Sequence, residues 1–171
     1  LLRDDKTGIG AEFKKKTTAK GNINNKSGVV EVTTAYAQYG TSAISVLTDE
    51  HFFGGSLNDL LAATINEVPL LRKDFIIDEY QLVESKAYGA EIILLIAACL
   101  TKEEVKTLAS FAKNIGLNVL LEIHNEEELN HICNGVDVVG INNRDLKTFT
   151  VDINHSIELS KKLPEGTIKI S

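Results

Sequence analysis

The chain has 171 residues, 43% of them hydrophobic and 25% charged, with two Pro and no Trp or Met, which suits one domain with a sizeable core or a large piece of a bigger one and excludes disorder. Eighteen basic against twenty-four acidic residues leave a net charge of −6, a balance that argues against nucleic acid or an anionic membrane surface as partner. No apolar run approaches the ~20 residues of a membrane span, and Leu1-Leu2-Arg3-Asp4-Asp5-Lys6 lacks the apolar stretch of a secretion signal, so the expectation is a soluble, cytoplasmic α/β protein.

Taken in chain order, the first strand is expected over 9–14. A helical stretch then closes at Gly40 and gives way to the apolar run Ala43-Ile44-Ser45-Val46-Leu47. Pro69 restarts the chain as a strand at Leu70-Leu71, and Asp78-x-x-Gln81 marks the next helix start. Gly89 closes that helix ahead of Ile92-Ile93-Leu94-Leu95-Ile96. Thr101-x-x-Glu104 reads as a capping box, and Val105, Leu108, Ala109 and Ala112 form the apolar stripe behind it. Gly116 precedes Val119-Leu120-Leu121, Asn125-x-x-Glu128 caps a further helix, and Gly135 precedes Val136-Asp137-Val138-Val139. Pro164 leads into Ile168-Lys169-Ile170. Glycine just past a helix end supplies the left-handed conformation that closes it. The tally is about seven strands with about six helices between them, a parallel sheet covered by helices.

An open doubly wound sheet would carry a Gly-rich phosphate loop after its first strand, whereas Gly8-Ile9-Gly10 lies before or within that strand. Polar residues instead crowd the C-terminal ends of many strands: Glu12 and Lys14, Asp49, Lys73, Glu122, and Asn142 with Arg144. That distribution is how a (β/α)8 barrel builds an active site. A barrel takes roughly 200 to 250 residues and eight strands, so this chain is expected to hold one barrel domain, 1–171, that stops at the seventh strand.

Strand alternation puts Glu12, Lys14 and Lys16 on one face of the first strand and Ala11 and Phe13 on the other. In a barrel both faces are covered, so these charges are paired or functional. Lys73 and Phe75 share a face at the end of the third strand, where a lysine can serve as an acid or an anion partner, or form a plain surface pair with Asp74. Glu122 closes an apolar strand, at the rim or in catalysis. Arginine is scarce (Arg3, Arg72 and Arg144); Arg144 offers a planar fork to phosphate or carboxylate, or contacts Asp145, and Asn142 offers a neutral donor and acceptor. His51, His124, His131 and His155 lack ligand spacing and are assigned to no metal. Cys99 and Cys133 read as reduced thiols in an apolar core.

At these residues the sequence resembles the indole-3-glycerol phosphate synthase family. The blocks are Ala11-Glu12-Phe13-Lys14-Lys15-Lys16, Ser45-Val46-Leu47-Thr48-Asp49 and Phe53-Gly54-Gly55-Ser56. They continue with Leu71-Arg72-Lys73-Asp74-Phe75-Ile76-Ile77-Asp78-x-Tyr80-Gln81 and Gly140-Ile141-Asn142-Asn143-Arg144-Asp145-Leu146-x-Thr148-Phe149. The resemblance implies a (β/α)8 TIM barrel of the ribulose-phosphate-binding type, with strands 1–7 in this chain. It implies closure of 1-(2-carboxyphenylamino)-1-deoxyribulose 5-phosphate to an indole with loss of carbon dioxide and water, without metal or organic cofactor. Lys73 would be the acid and Lys14 would hold the substrate carboxylate or orient that acid. Glu12 and Glu122 would serve the dehydration, one as base and the other as polar partner. Lys16, Phe75, Asn142 and Arg144 would bind substrate, with Phe75 on the aromatic ring, Asn142 on hydroxyl groups and Arg144 at the anionic end. The partner would be this phosphorylated, anthranilate-derived small molecule, and the protein a monomer or weak homo-oligomer.

Departures from the family pattern are Thr17-Thr18-Ala19 where Ser-Pro-Ser is usual, a shorter stretch from Ala62 to Val68, and an end before the Glu-Ser-Gly segment, the eighth strand and its phosphate loop. Competing readings are another phosphate-binding barrel, such as phosphoribosylanthranilate isomerase, and a non-catalytic barrel piece that only binds or assembles.

Overall fold

The structure, a computed structural model, describes residues 7–17, 21–22, 27–144 and 151–171. Leu1–Lys6, Thr18, Ala19, and the Asp145, Leu146, Thr148 and Phe149 positions of the last sequence block lie outside the described residues. The elements in chain order are β1 (Gly10–Phe13), a short antiparallel pair β2 (Lys16–Thr17) and β3 (Gly21–Asn22), α1 (Val29–Gln38), β4 (Ala43–Leu47), α2 (Glu50–Phe53) and α3 (Leu57–Ala63). There follow β5 (Leu70–Lys73), α4 (Glu79–Ala87), β6 (Ile92–Ile96), α5 (Lys102–Asn114), β7 (Asn118–Ile123), β8 (Val138–Ile141), α6 (Ile153–Lys161) and β9 (Ile168–Ile170). The described chain forms two compact units, Leu1–Asp74 with Val83–Ile93, and Phe75–Leu82 with Leu94–Ser171.

In the first unit β1, β4, β5 and the start of β6 are neighbours in that order, and each pairing is parallel. Register sets the two faces. Phe13 lies opposite Val46 and Val46 opposite Arg72, while Glu12 lies opposite Ser45 and Ser45 opposite Leu71. The first row faces helices, and Phe13, Ile44, Val46 and Leu70 pack there with Leu60 and Ala63 of α3 and with Val29, Val32 and Tyr36 of α1. Each fully buried Ile or Leu in such a cluster contributes roughly 1.5–3 kcal/mol. The second row carries Glu12 and Lys73 on the opposite face.

In the second unit the end of β6, then β7, β8 and β9, follow in order, with β7–β8 and β8–β9 parallel. The Thr101–Glu104 capping box is present in full, and α5 buries Val105, Leu108, Ala109 and Ala112 as the stripe predicts. These pack on β7, where Val119 and Leu121 are fully buried. Gly135 has φ +110°, and a side chain there would press on Ala109; a left-handed residue against a packed helix suits glycine alone.

The strands at 43–47, 92–96 and 168–170 have the bounds the sequence predicts, and Gly40, Gly89, Gly116 and Gly135 all have positive φ. Three expectations are corrected. The strand expected at 136–139 runs from Val138 to Ile141, because Asp137 is spent on fastening: its carboxylate takes Lys113 Nζ at 2.9 Å and the Val119 amide at 2.8 Å. The helix expected after Asn125 is a 3-10 turn, Glu127–His131. Cys99 is exposed and Cys133 half-buried, so the cysteines are not core residues. Among the described residues no helix is long and apolar enough to cross a membrane.

Candidate active site

In the first unit, Glu12 projects from β1 and Lys73 from β5 across β4, where the small Ser45 stands opposite Glu12. Lys73 Nζ donates to Glu12 Oε2 at 2.7 Å, and Lys14 Nζ donates to Glu12 Oε1 at 2.6 Å. One carboxylate thus holds two ammonium groups, leaving a net positive cluster open to an anion. Burial by itself would raise the Glu12 carboxyl, but the charge of Lys73, hydrogen bonds from Lys14 and Lys73, and the charge of Lys14 outweigh it and hold the group below its usual value of 4.5.

The opposite face of β5 carries an unexpected charge. Arg72 is 4% exposed and lies among helices. Its guanidinium donates to Asp74 at 2.9 Å, to Glu84 at 2.9 Å, to Thr48 Oγ1 at 3.1 Å and to Ser85 at 3.2 Å, and Thr48 in turn donates to Asp74 at 2.6 Å. Asp74 therefore partners Arg72 and Thr48, not Lys73. A buried charge persists only when paired and hydrogen-bonded on all sides, and here the pairing locks the strand that presents Lys73.

The two other sequence blocks of this unit are structural supports. Asp49 caps α2 through the amides of Phe52 and Phe53, and Ser56 caps α3 through that of Asp59. Between them Gly54 has φ +64°, and a Cβ on Gly55 would run into the Leu47 carbonyl. Lys15, which the sequence reading left unassigned, grips both carboxylate oxygens of Asp59 at 2.8 and 2.6 Å and ties the exit of β1 to α3. Lys16 does not join Glu12. It belongs to β2, and its ammonium lies 3.4 Å from the His51 carbonyl.

In the second unit, Glu122 of β7 takes a hydrogen bond from Asn142 Nδ2 at 3.0 Å on Oε1. Asn142, just past β8, is oriented by its other end, since its Oδ1 accepts the Arg144 amide at 2.9 Å. Arg144 is exposed and bridges to Val151 in antiparallel fashion. His124 stands two residues beyond Glu122, with Nε2 3.4 Å from Glu122 Oε1. The period of two along a strand was the signal for this neighbour. Phe75 is 42% exposed, and its carbonyl is held by Gln81 Nε2 at 3.0 Å. Gln81 also accepts the amides of Ile77 and Asp78, so the Asp78-x-Tyr80-Gln81 block fastens a turn. Among the described residues no group of three or more His, Cys, Asp or Glu is placed to hold a metal.

Parallel strands in chain order, alternating with helices and ending in paired carboxylates, ammonium groups and amides, place the protein among the (β/α)8 barrels. A solved structure of 3-hexulose-6-phosphate synthase matches this fold with a TM-score of 0.65 at 9% identity, over 90% of this chain and 74% of that one. The family Indole-3-glycerol phosphate synthase matches residues 2–171, and the chain belongs to that family. It is 47% identical to the indole-3-glycerol phosphate synthase of Bacteroides thetaiotaomicron over 99% of this chain, and 44% identical to that of Campylobacter jejuni subsp. doylei over 95%. The chain spans 66% and 64% of the lengths of those two relatives.

Proposed function

We propose that the protein closes 1-(2-carboxyphenylamino)-1-deoxyribulose 5-phosphate to indole-3-glycerol phosphate. The aryl carbon bearing the carboxylate attacks the ketone carbon, and Lys73 delivers a proton to the ketone oxygen as the carbon–carbon bond forms. The carboxylate leaves as carbon dioxide, returning its electron pair to the ring. Loss of the new hydroxyl as water, with removal of a ring-side proton, completes the indole. The observation that carries this reading is the Glu12 carboxylate held between Lys14 and Lys73. An acid needs a defined position and a relay for its proton, and an anionic substrate needs excess positive charge.

Lys14 meets the substrate carboxylate, and Lys16 and Arg144 meet anionic groups. Asn142 binds hydroxyl groups and Phe75 packs on the aromatic ring. Of the two carboxylates, Glu122 serves as base in the dehydration and Glu12 as polar partner. Glu12 spends both of its oxygens on ammonium groups, whereas Glu122 is engaged at Oε1, by the Asn142 amide with His124 close by, and among the described residues its Oε2 has no donor. The test is direct: the purified protein, given the carboxyphenylamino-deoxyribulose phosphate, is expected to release a fluorescent indole. Absence of that product from folded protein overturns the assignment.

A further inference from the structure

His124 is fastened at both backbone groups. Its amide donates to Glu128 Oε2 at 2.7 Å, and its carbonyl lies 2.7 Å from His155 Nε2, which must be the donor because a carbonyl only accepts. Its ring, by contrast, is enclosed with neither nitrogen in an aligned hydrogen bond. Both nitrogens face carboxylates, Nε2 at 3.4 Å from Glu122 Oε1 and Nδ1 at 3.5 Å from Glu128 Oε2. Buried polar nitrogens are nearly always paired, so an orphan of this kind calls for a reason.

The two carboxylates are not equivalent. Glu128 is occupied by the His124 amide and by Asn125 Nδ2 at 2.8 Å, which makes it an anchor of the 3-10 turn. Glu122 has Asn142 on Oε1, and among the described residues nothing donates to its Oε2. Two other titratable groups lie near: His155, whose ring is spent on the His124 carbonyl, and Cys99, whose thiol is pushed up by partial burial and then by the charges of Glu122 and Glu128. Hydrogen bonds used in catalysis are often long or misaligned without substrate and tighten when it binds.

We infer that His124 is a positioning residue for Glu122: its Nε2–H and the Asn142 amide together grip Oε1 and turn Oε2 to the reacting substrate. The inference rests on the reading that Glu122 acts in the dehydration.

A double-mutant cycle tests it. His124→Leu is expected to lower kcat about ten- to a hundredfold with KM changed less than about twofold, and His124→Gln, which keeps a donor, to recover most of the loss. In a Glu122→Gln background His124→Leu is expected to cost nothing further. Full activity of His124→Leu, a loss confined to KM, or losses that simply multiply would overturn the proposal. Nitrogen NMR of the imidazole in the resting protein supplies a reading independent of turnover. The His124 ring is expected in its Nε2–H form and to shift on Glu122→Gln. An unmoved ring signal overturns the pairing even in an active enzyme. A wild-type protein that makes no indole, yet shows the NMR response, overturns the synthase reading and leaves the pairing intact.

Discussion

Glu12 and Glu122 each stand on a strand of their own unit with the carboxylate held by other side chains, but they are held by opposite means. Glu12 is gripped by two ammonium groups, and Glu122 by a neutral amide with an imidazole close by. The first arrangement fixes charge. The second fixes direction and, among the described residues, leaves one oxygen without a donor. A lysine acid needs a nearby carboxylate that stays ionised, and a base needs an oxygen with nothing yet donating to it, so the two holding schemes fit two different jobs.

The severest way to break this comparison is Lys73→Met. It removes the proposed acid and the larger of the charges that hold Glu12 ionised. Turnover is expected to fall by roughly two to four orders of magnitude, the usual worth of a positioned acid, with an unchanged far-ultraviolet circular dichroism spectrum. Retention of more than about a tenth of the activity would move the acid elsewhere. Loss of folding along with activity would make Lys73 a structural residue.

Arg72→Met tests the support behind the charged cluster. It removes the cation that Asp74 and Glu84 share, at a site 4% exposed. Removing one member of a buried pair costs about 3–5 kcal/mol, and because Glu84 partly meets water the expectation lies near the lower end. The urea midpoint measures it. An unchanged midpoint would show that β5 holds Lys73 without this network.

That network was the least legible part of the first unit. Arg72 sits in an apolar strand, and of its partners only Asp74 is near in sequence while Thr48, Glu84 and Ser85 are distant, so the local pattern does not mark a buried guanidinium. Alternation, by contrast, did place Phe13 in the core and Glu12 on the charged face, because a period of two is a local property. The same rule fails at Lys16, where the chain has left β1 and forms β2, paired antiparallel with β3. In the second unit the Thr101–Glu104 cap was readable, since both its bonds lie within one helical turn. The Asn125–Glu128 signal was also real, with the Glu128 amide 3.1 Å from Asn125 Oδ1. Yet Glu128 spends its side chain on His124 and Asn125, and the segment tightens into a 3-10 turn that no helical period foretold.

Asn142→Ala sharpens the other half of the comparison. A hydrogen bond to a charged group contributes about 1.5–3 kcal/mol, so kcat/KM is expected to drop roughly ten- to a hundredfold. Because Asn142 also accepts the Arg144 amide, part of the loss should appear in KM. A variant as active as wild type would remove the amide from the grip on Glu122.

The smallest expected effect concerns acid stability. Burial alone would raise the Glu12 carboxyl, but Lys73 and Lys14 hold it below 4.5 in the folded protein. The unfolded chain therefore takes up this proton first as pH falls. The stabilisation from Glu12 is complete above the ordinary carboxylate value and is lost as pH falls through the lower, folded value. Urea midpoints measured downward from neutrality should accordingly fall more steeply for wild type than for Glu12→Gln below about pH 4.5, and the gap between the two proteins should shrink as Glu12 is protonated. In Lys73→Met the extra slope should be reduced, because the leading opposing charge is gone, and Asn142→Ala should leave it as it is. Equal slopes for wild type and Glu12→Gln throughout the acid range would mean that the two ammonium groups do not set the charge on Glu12, and the contrast with Glu122 would lose its electrostatic half.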